Sequence, residues 1–130
     1  MTIKGRAINP KRVKAQALVL EVPFSFIGDF EPDTGRLTMA GHPLAGQSLA
    51  GKVLVFPIGK GGTVGPLMAY QARSQGNAPA AIVCEQIEPL TCECALIMDI
   101  PILDRFPVSP VTVIKNGDLV EIDGDQVTVK

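Results

Sequence analysis

One stretch constrains this chain more than any other: Val53-Leu-Val-Phe-Pro-Ile-Gly-Lys-Gly-Gly-Thr-Val-Gly-Pro-Leu-Met-Ala-Tyr-Gln-Ala-Arg-Ser-Gln-Gly76. Val53 to Phe56 is continuously apolar, the pattern of a strand buried on both faces. Gly59-Lys60-Gly61-Gly62-Thr63-Val64-Gly65 follows, four glycines and a lysine with little side-chain bulk. Pro66 suits a first helical turn, where its missing N–H is not needed, and Gly76 suits a helix stop. Strand, glycine-rich turn and helix together aim free backbone N–H groups at an anion. The helix dipole adds about half a positive charge at the same place. Lys60 adds a whole one.

The remainder reads as one domain, residues 1–130, with 46% apolar and 19% charged residues. That composition is globular and not disordered. A formal net charge of −1 gives no reason to expect nucleic acid or an anionic membrane as partner. The N-terminus lacks the apolar core of a signal peptide, and no apolar run approaches the ~20 residues of a membrane span. Three cysteines without an export signal point to the reducing cytoplasm. Between Lys4 and Lys14 lie five bases and no acid, read as a solvated hairpin face or a docking face.

In chain order, Lys4 to Ile8 and Val13 to Val22 read as two strands around an Asn9-Pro10-Lys11-Arg12 turn, an N-terminal hairpin. Pro32-Asp33-Thr34-Gly35 signals another turn, and Arg36 to Met39 a short strand. Ala80 to Cys84 is a second buried strand, so the central helix makes a right-handed βαβ unit with Val53 to Phe56. Pro89 opens a helix to about Met98, followed by a brief strand, Ile100 to Leu103. Val108 to Ile114 is ambiguous because Pro110 interrupts it. Leu119 to Ile122 and Gln126 to Val129 flank Asp123-Gly124-Asp125 as a terminal hairpin. The fold class is α+β: a central βαβ unit with terminal β-hairpins.

The glycine loop is not a P-loop, since Lys60 opens it where a P-loop ends on Gly-Lys-Ser/Thr. It also misfits a dinucleotide fingerprint, although Glu85 ends the next strand about where a ribose-binding acid would lie. A tight turn whose glycines only supply positive φ is the plainer alternative; a helix start with a lysine favours an anion site. Cys84, Cys92 and Cys94 are spaced poorly for a metal and read as buried thiols. His42, alone beside a proline, assembles no catalytic set. Glu85, Glu88, Glu93, Asp99 and Asp104 read as solvated acids. Ser25, between Phe24 and Phe26, reads as a hydroxyl bonded to nearby backbone. Thr63 reads as a helix cap.

With these residues in view, the chain resembles the small subunit, or swivelling domain, of the aconitase X family. The resemblance runs nearly end to end. It rests on Ser25-Phe26-x-Gly28, Asp33-Thr34-Gly35, His42-Pro43-x-x-Gly46 and Gly51-Lys52-Val53-Leu54-Val55-x-Pro57. It continues through Gly59-Lys60-Gly61, Gly76-x-Ala78-Pro79-x-Ala81-Ile82, Ile100-Pro101 and Gly117-Asp118-x-Val120. The family's members include phosphomevalonate dehydratase and cis-3-hydroxy-L-proline dehydratase. The resemblance implies a swivelling β/β/α fold that closes over a separate large subunit as a heterodimer. It places the iron or iron–sulfur centre in that large subunit, with no cofactor held by this chain. It implies a hydro-lyase reaction in which a base removes the proton alpha to a carboxylate of a hydroxy acid.

In that family the loop usually runs Gly-(Lys/Arg)-Gly-Ser-(Ser/Thr)-x-x-Ser, with the first serine as base. Here that position is Gly62, and Pro66 replaces the last serine. Thr63 keeps the second hydroxyl and is the candidate catalytic residue. Ser25, Gly59, Lys60, Gly61, Gly62, Thr63, Val64 and Gly65 are the candidates for binding a carboxylate or phosphate. The competing expectation is a silent lid or regulatory subunit, or an anion-binding module, that has lost the serine base.

Overall fold

The apolar runs at the centre of the chain become strands flanked by helices. In the computed structural model, which describes residues 1–130, β6 (Val53–Ile58) pairs in parallel with β7 (Ala81–Gln86), Leu54 opposite Ile82. The helix α1 (Gly65–Gln75) joins them, and α2 (Pro89–Met98) leads from β7 to its other parallel neighbour, β8 (Ile102–Asp104). Both helices carry a proline in the first turn. Gly76 stops α1 at φ 74°, its N–H donating to Arg73 O at 3.1 Å while Asn77 N–H reaches Ala72 O at 2.8 Å. That pair of bonds satisfies carbonyls the helix end would otherwise orphan. The ambiguous segment resolves as a single turn, α3 (Pro110–Val113), with Pro110 again at the start. No helix is long and apolar enough to cross a membrane.

The expected N-terminal hairpin does not form. Lys4 to Ile8 divides into β1 (Thr2–Lys4), paired with β10 (Gln126–Val129), and β2 (Arg6–Ile8), paired with β8. β3 (Arg12–Val19) pairs antiparallel with β9 (Leu119–Asp123) and in parallel with β6. The turn between them is anchored elsewhere. Asn9 Nδ2 donates to Asp99 Oδ1 at 3.1 Å, and Lys11 Nζ donates to the Asp99 carbonyl at 2.7 Å. Those bonds tie the bend to the end of α2 instead of folding it back on itself. The C-terminal hairpin of β9 and β10 does form, Val127 opposite Ile122, and β4 (Phe30–Glu31) with β5 (Arg36–Leu37) makes a small one around the expected turn.

The sheet order is β1-β10-β9-β3-β6-β7-β8-β2, and its two ends, β1 and β2, are separated in sequence by Gly5 alone. One bent strand therefore joins both edges and closes the sheet into a barrel, leaving no long unpaired edge. Gly5 is the bend because nothing larger fits: a Cβ there would collide with the Asp104 carbonyl oxygen and lie 2.7 Å from the Phe106 ring. Gly5→Ala is expected to cost about 3 kcal/mol, since one colliding atom is backbone and cannot move aside. Urea unfolding monitored at equilibrium checks this.

Alternate residues along the strands face two cores. Val53, Val55, Ala81 and Val83 point into the barrel with Ile3, Val120 and Ile122. Leu54, Phe56, Ile82 and Cys84 point outward beneath Ala69, Ala72 and Ala95 of the helices. The basic run is largely neutralised within the chain. Lys4, Arg6, Lys11 and Arg12 pair with Asp125, Asp104, Asp99 and Asp123. As a free cationic docking face it is spent.

Candidate functional site

Strand β6 continues past its buried residues and delivers Gly59 to the barrel rim. Gly59 bridges Phe24 there, and Lys60 N–H donates to the Phe24 carbonyl at 2.9 Å. Phe24 is fully buried, edge-on to Phe26 with centroids 5.0 Å apart and 5.3 Å from Phe56. Such aromatic packing fixes the backbone on either side of Ser25.

Ser25 Oγ donates to the Gly61 carbonyl at 2.8 Å and accepts from Ile27 N–H at 3.1 Å. The hydroxyl is bonded to backbone, as expected, but the backbone is that of the glycine loop. Asp29, which sequence reasoning missed, ties the two segments together. Its Oδ2 accepts from Ser25 N–H at 3.0 Å and lies 2.7 Å from Lys60 Nζ. An aspartate before a turn gives no signal of this by itself; the fold brings it to Lys60.

The loop itself presents donors. The N–H groups of Gly61, Gly62, Thr63 and Val64 donate to no protein acceptor, while Gly65 N–H closes a turn on the Gly62 carbonyl at 3.0 Å. Gly61 and Gly62 stand at φ +80° and +105°, where only glycine is unstrained. Four successive free amides thus stand at a helix start beside a half-exposed lysine, an arrangement whose chemistry suits an anion.

Three readings, of Thr63, Glu88 and Asp104, need correction. Thr63 does not cap α1: Val64 holds the cap position in helical conformation, with no side-chain cap bond, because the Gly62–Gly65 turn starts the helix one residue later. Thr63 is exposed and its hydroxyl makes no hydrogen bond within the chain. Glu88 is not a solvated acid. Its Oε2 caps α2 by accepting from Leu90 N–H at 2.6 Å, and its buried Oε1 has no partner. Asp104 is likewise buried, accepting from Arg6 Nε and Nη2, each at 2.9 Å, and from Ile87 N–H at 2.9 Å.

The start of α2 backs the loop closely. A Cβ at Gly59 would collide with Thr91 Oγ1, its next contact being Thr91 Cβ at 3.1 Å. A Cβ at Gly62 would lie 2.5 Å from Ile27 Cγ2, so a serine at this position needs Ile27 or the loop to move. Gly59→Ala is expected to cost about 2–3 kcal/mol and Thr91→Ala to restore most of it by removing the offending oxygen. Thermal melts of the two single variants and the double variant decide it. Equal destabilisation in Gly59→Ala and the double variant would contradict this packing.

The three cysteines are free, and burial pushes the Cys84 and Cys94 thiols up to about 12. The unfolded chain loses these protons near the ordinary 9.0, while the folded chain keeps them to about 12. Their contribution to stability is therefore complete below pH 9.0 and is lost between there and about 12. Unfolding midpoints should fall steeply over that range and recover their plateau in Cys84→Ala/Cys94→Ala. No three His, Cys, Asp or Glu side chains cluster as a metal site, so these residues do not fit an iron or iron–sulfur centre. His42 Nδ1 accepts from Leu44 N–H at 3.0 Å, folding its own turn, away from the loop's contacts.

None of the four surface cavities is lined by a loop residue. Exposed Ile27, Val64, Leu67 and Tyr70 form an apolar rim beside the loop and along the outer face of α1.

A family model described as the aconitase X swivel domain matches residues 2–130. The chain belongs to the aconitase X swivel-domain family. This swivel domain is 44% identical over 124 residues to the phosphomevalonate dehydratase small subunit of Methanocella arvoryzae, covering 95% of this chain and 94% of that one. To the same-named subunit of Methanosarcina acetivorans it is 41% identical over 124 residues, covering 95% and 86%. The crystal structure of Thermococcus kodakaraensis aconitase X in its holo form superposes with a TM-score of 0.92 at 36% identity, covering all of this chain and 98% of that chain. The expected α+β swivelling fold is thus the fold observed, with the first hairpin replaced by a bent, barrel-closing strand.

Proposed function

We propose that this swivel domain is the small subunit of a cytoplasmic hydro-lyase acting on phosphomevalonate, or on a hydroxy acid of like chemistry, together with a large subunit. The observation that carries this reading is the run of four unpartnered amides, Gly61 to Val64, beside Lys60. A phosphate or carboxylate supplies the acceptors those donors lack. The names of the relatives support the substrate class and a two-subunit enzyme. The apolar rim beside the loop supports a partner that covers it, since exposed apolar patches mark interaction surfaces. Free thiols fit a reducing compartment. The paired bases and the net charge of −1 give nucleic acid no footing.

In the reaction, a base takes the proton alpha to the carboxylate, the C–H electrons form the double bond, and a hydroxide leaves. The metal centre belongs to the large subunit, whose Lewis acidity would assist that departure. This chain's part is anion binding and proton transfer. Thr63 is the hydroxyl available for the transfer: it is exposed, uncommitted, and carried on the run of free amides, donors of the kind that stabilise an oxyanion. The second reading, a silent lid, is favoured by Gly62, which carries no hydroxyl and has no room for one without movement.

The experiment is co-expression with the large subunit and assay of the purified complex on phosphomevalonate and cis-3-hydroxy-L-proline. The complex should turn over phosphomevalonate and the chain alone should not. A metal-loaded complex inactive on both substrates would establish the silent reading. Failure to assemble at micromolar concentrations would sink both.

A further inference from the structure

Ile27 occupies the space that a side chain at residue 62 needs. Its Cγ2 lies 2.5 Å from where a Cβ of Gly62 would stand, and Ser25 Oγ bounds the same space at 3.6 Å. Neither side of this contact is loose. Ile27 follows Phe26, which packs edge-on to Phe24 and Phe30 with centroids 5.0 and 5.5 Å away. Its N–H donates to Ser25 Oγ at 3.1 Å. A β-branched side chain keeps to few χ1 wells, so the Cγ2 methyl does not swing aside freely. Gly62 is held from the other side. The Gly61 carbonyl accepts from Ser25 Oγ, and the Gly62 carbonyl accepts from Gly65 N–H at the start of α1. Ile27 is itself 39% exposed, so it contributes little to either core. What it packs against closely is the loop.

We propose that Ile27 is a positioning residue of the reaction: it closes position 62 to any side chain and so confines the proton-transferring hydroxyl to Thr63. The inference rests on Thr63 as the hydroxyl of the transfer. Between Gly59 and Pro66 no other residue carries a hydroxyl. Neighbouring residues are offset by ~3.5 Å of chain, and proton transfer needs contact at ~3 Å. A hydroxyl at 62 and one at 63 therefore serve different approaches of the substrate carbon, and Ile27 selects between them. A purely structural role, as a cover over the loop, would give Ile27 an effect on stability and none on which residue carries the hydroxyl.

The test moves the hydroxyl from residue 63 to residue 62. Assembled complexes are assayed on phosphomevalonate with Thr63→Val alone, with Gly62→Ser added, with Ile27→Ala added, and with both added. Neither single addition should raise kcat above that of Thr63→Val. Both together should raise it by on the order of tenfold or more, a part of the ~10²–10⁴ that a positioned base supplies. Melting midpoints of the full chain are measured in parallel. Gly62→Ser should lower the midpoint by about 5 °C or more, and adding Ile27→Ala should recover a large part of that loss. The strain of a serine at φ +105° is common to both backgrounds and cancels in the comparison. The melts need neither partner nor substrate, so they decide whether Ile27 closes position 62 even if the complex is silent. Equal midpoints for Gly62→Ser with and without Ile27→Ala overturn the proposal. So does a gain of kcat from Gly62→Ser while Ile27 is in place, or no gain once both are added. Wild-type kcat in Thr63→Val overturns instead the assignment of Thr63, and with it any part of Ile27 in the reaction.

Discussion

Replacing Thr63 by valine is expected to lower kcat of the assembled enzyme by about 10²–10⁴-fold, the usual worth of a positioned base. KM should change little, because the anion contacts come from amides and Lys60. The fold should be untouched, since Thr63 is exposed and its hydroxyl bonds to nothing in the chain. Valine matches the shape of threonine and removes only the oxygen, so the loss isolates the proton transfer. Thr63 lies two residues before the first residue of α1, at the end where the helix dipole favours negative charge, which is what an alkoxide in waiting needs. Measuring kcat and KM separately for wild type and Thr63→Val checks it. Unchanged kcat would remove Thr63 from the chemistry and leave the proton to a group of the large subunit.

The second large effect is on binding. Lys60→Met should raise KM about 10- to 100-fold, the worth of a charge-assisted hydrogen bond to the anion, with a smaller change in kcat. Asp29 sets the geometry: its Oδ2 sits 2.7 Å from Lys60 Nζ and also takes the Ser25 N–H. Asp29→Asn retains an oxygen for Ser25 while releasing the lysine from its ion pair. That variant should keep the fold and change KM far less than Lys60→Met does. Equal KM for wild type and Lys60→Met would mean that the anion does not sit in this loop.

The central strand, loop and helix were legible because each depends on residues close together in sequence: an apolar run, glycines that tolerate positive φ, a proline at a helix start, a glycine at its end. The free amides of the glycine loop beside Lys60 were legible for the same reason, and their reading as an anion site is the one proposed above. The first hairpin was misread because two of its turn residues, Asn9 and Lys11, find their partners at Asp99 and Ile100, some ninety residues away. Barrel closure at Gly5 was invisible for a related reason, since the crowding comes from Asp104 and Phe106. Asp29 was passed over and Glu88 was read as solvated because an acid's role is set by what the fold packs against it. One meets Lys60, the other the back of the loop. Thr63 was assigned a cap from its place before Pro66, and the true helix start turned on the Gly62 carbonyl instead.

The most direct measurement is the crystal structure of the two-subunit complex with phosphomevalonate bound under conditions that prevent turnover. The account predicts a phosphate or carboxylate oxygen within about 3 Å of the amide nitrogens of Gly61 to Val64 and of Lys60 Nζ, with the large subunit lying over Ile27, Val64, Leu67 and Tyr70. A substrate whose anionic groups are held elsewhere, with the loop amides facing solvent, would contradict it.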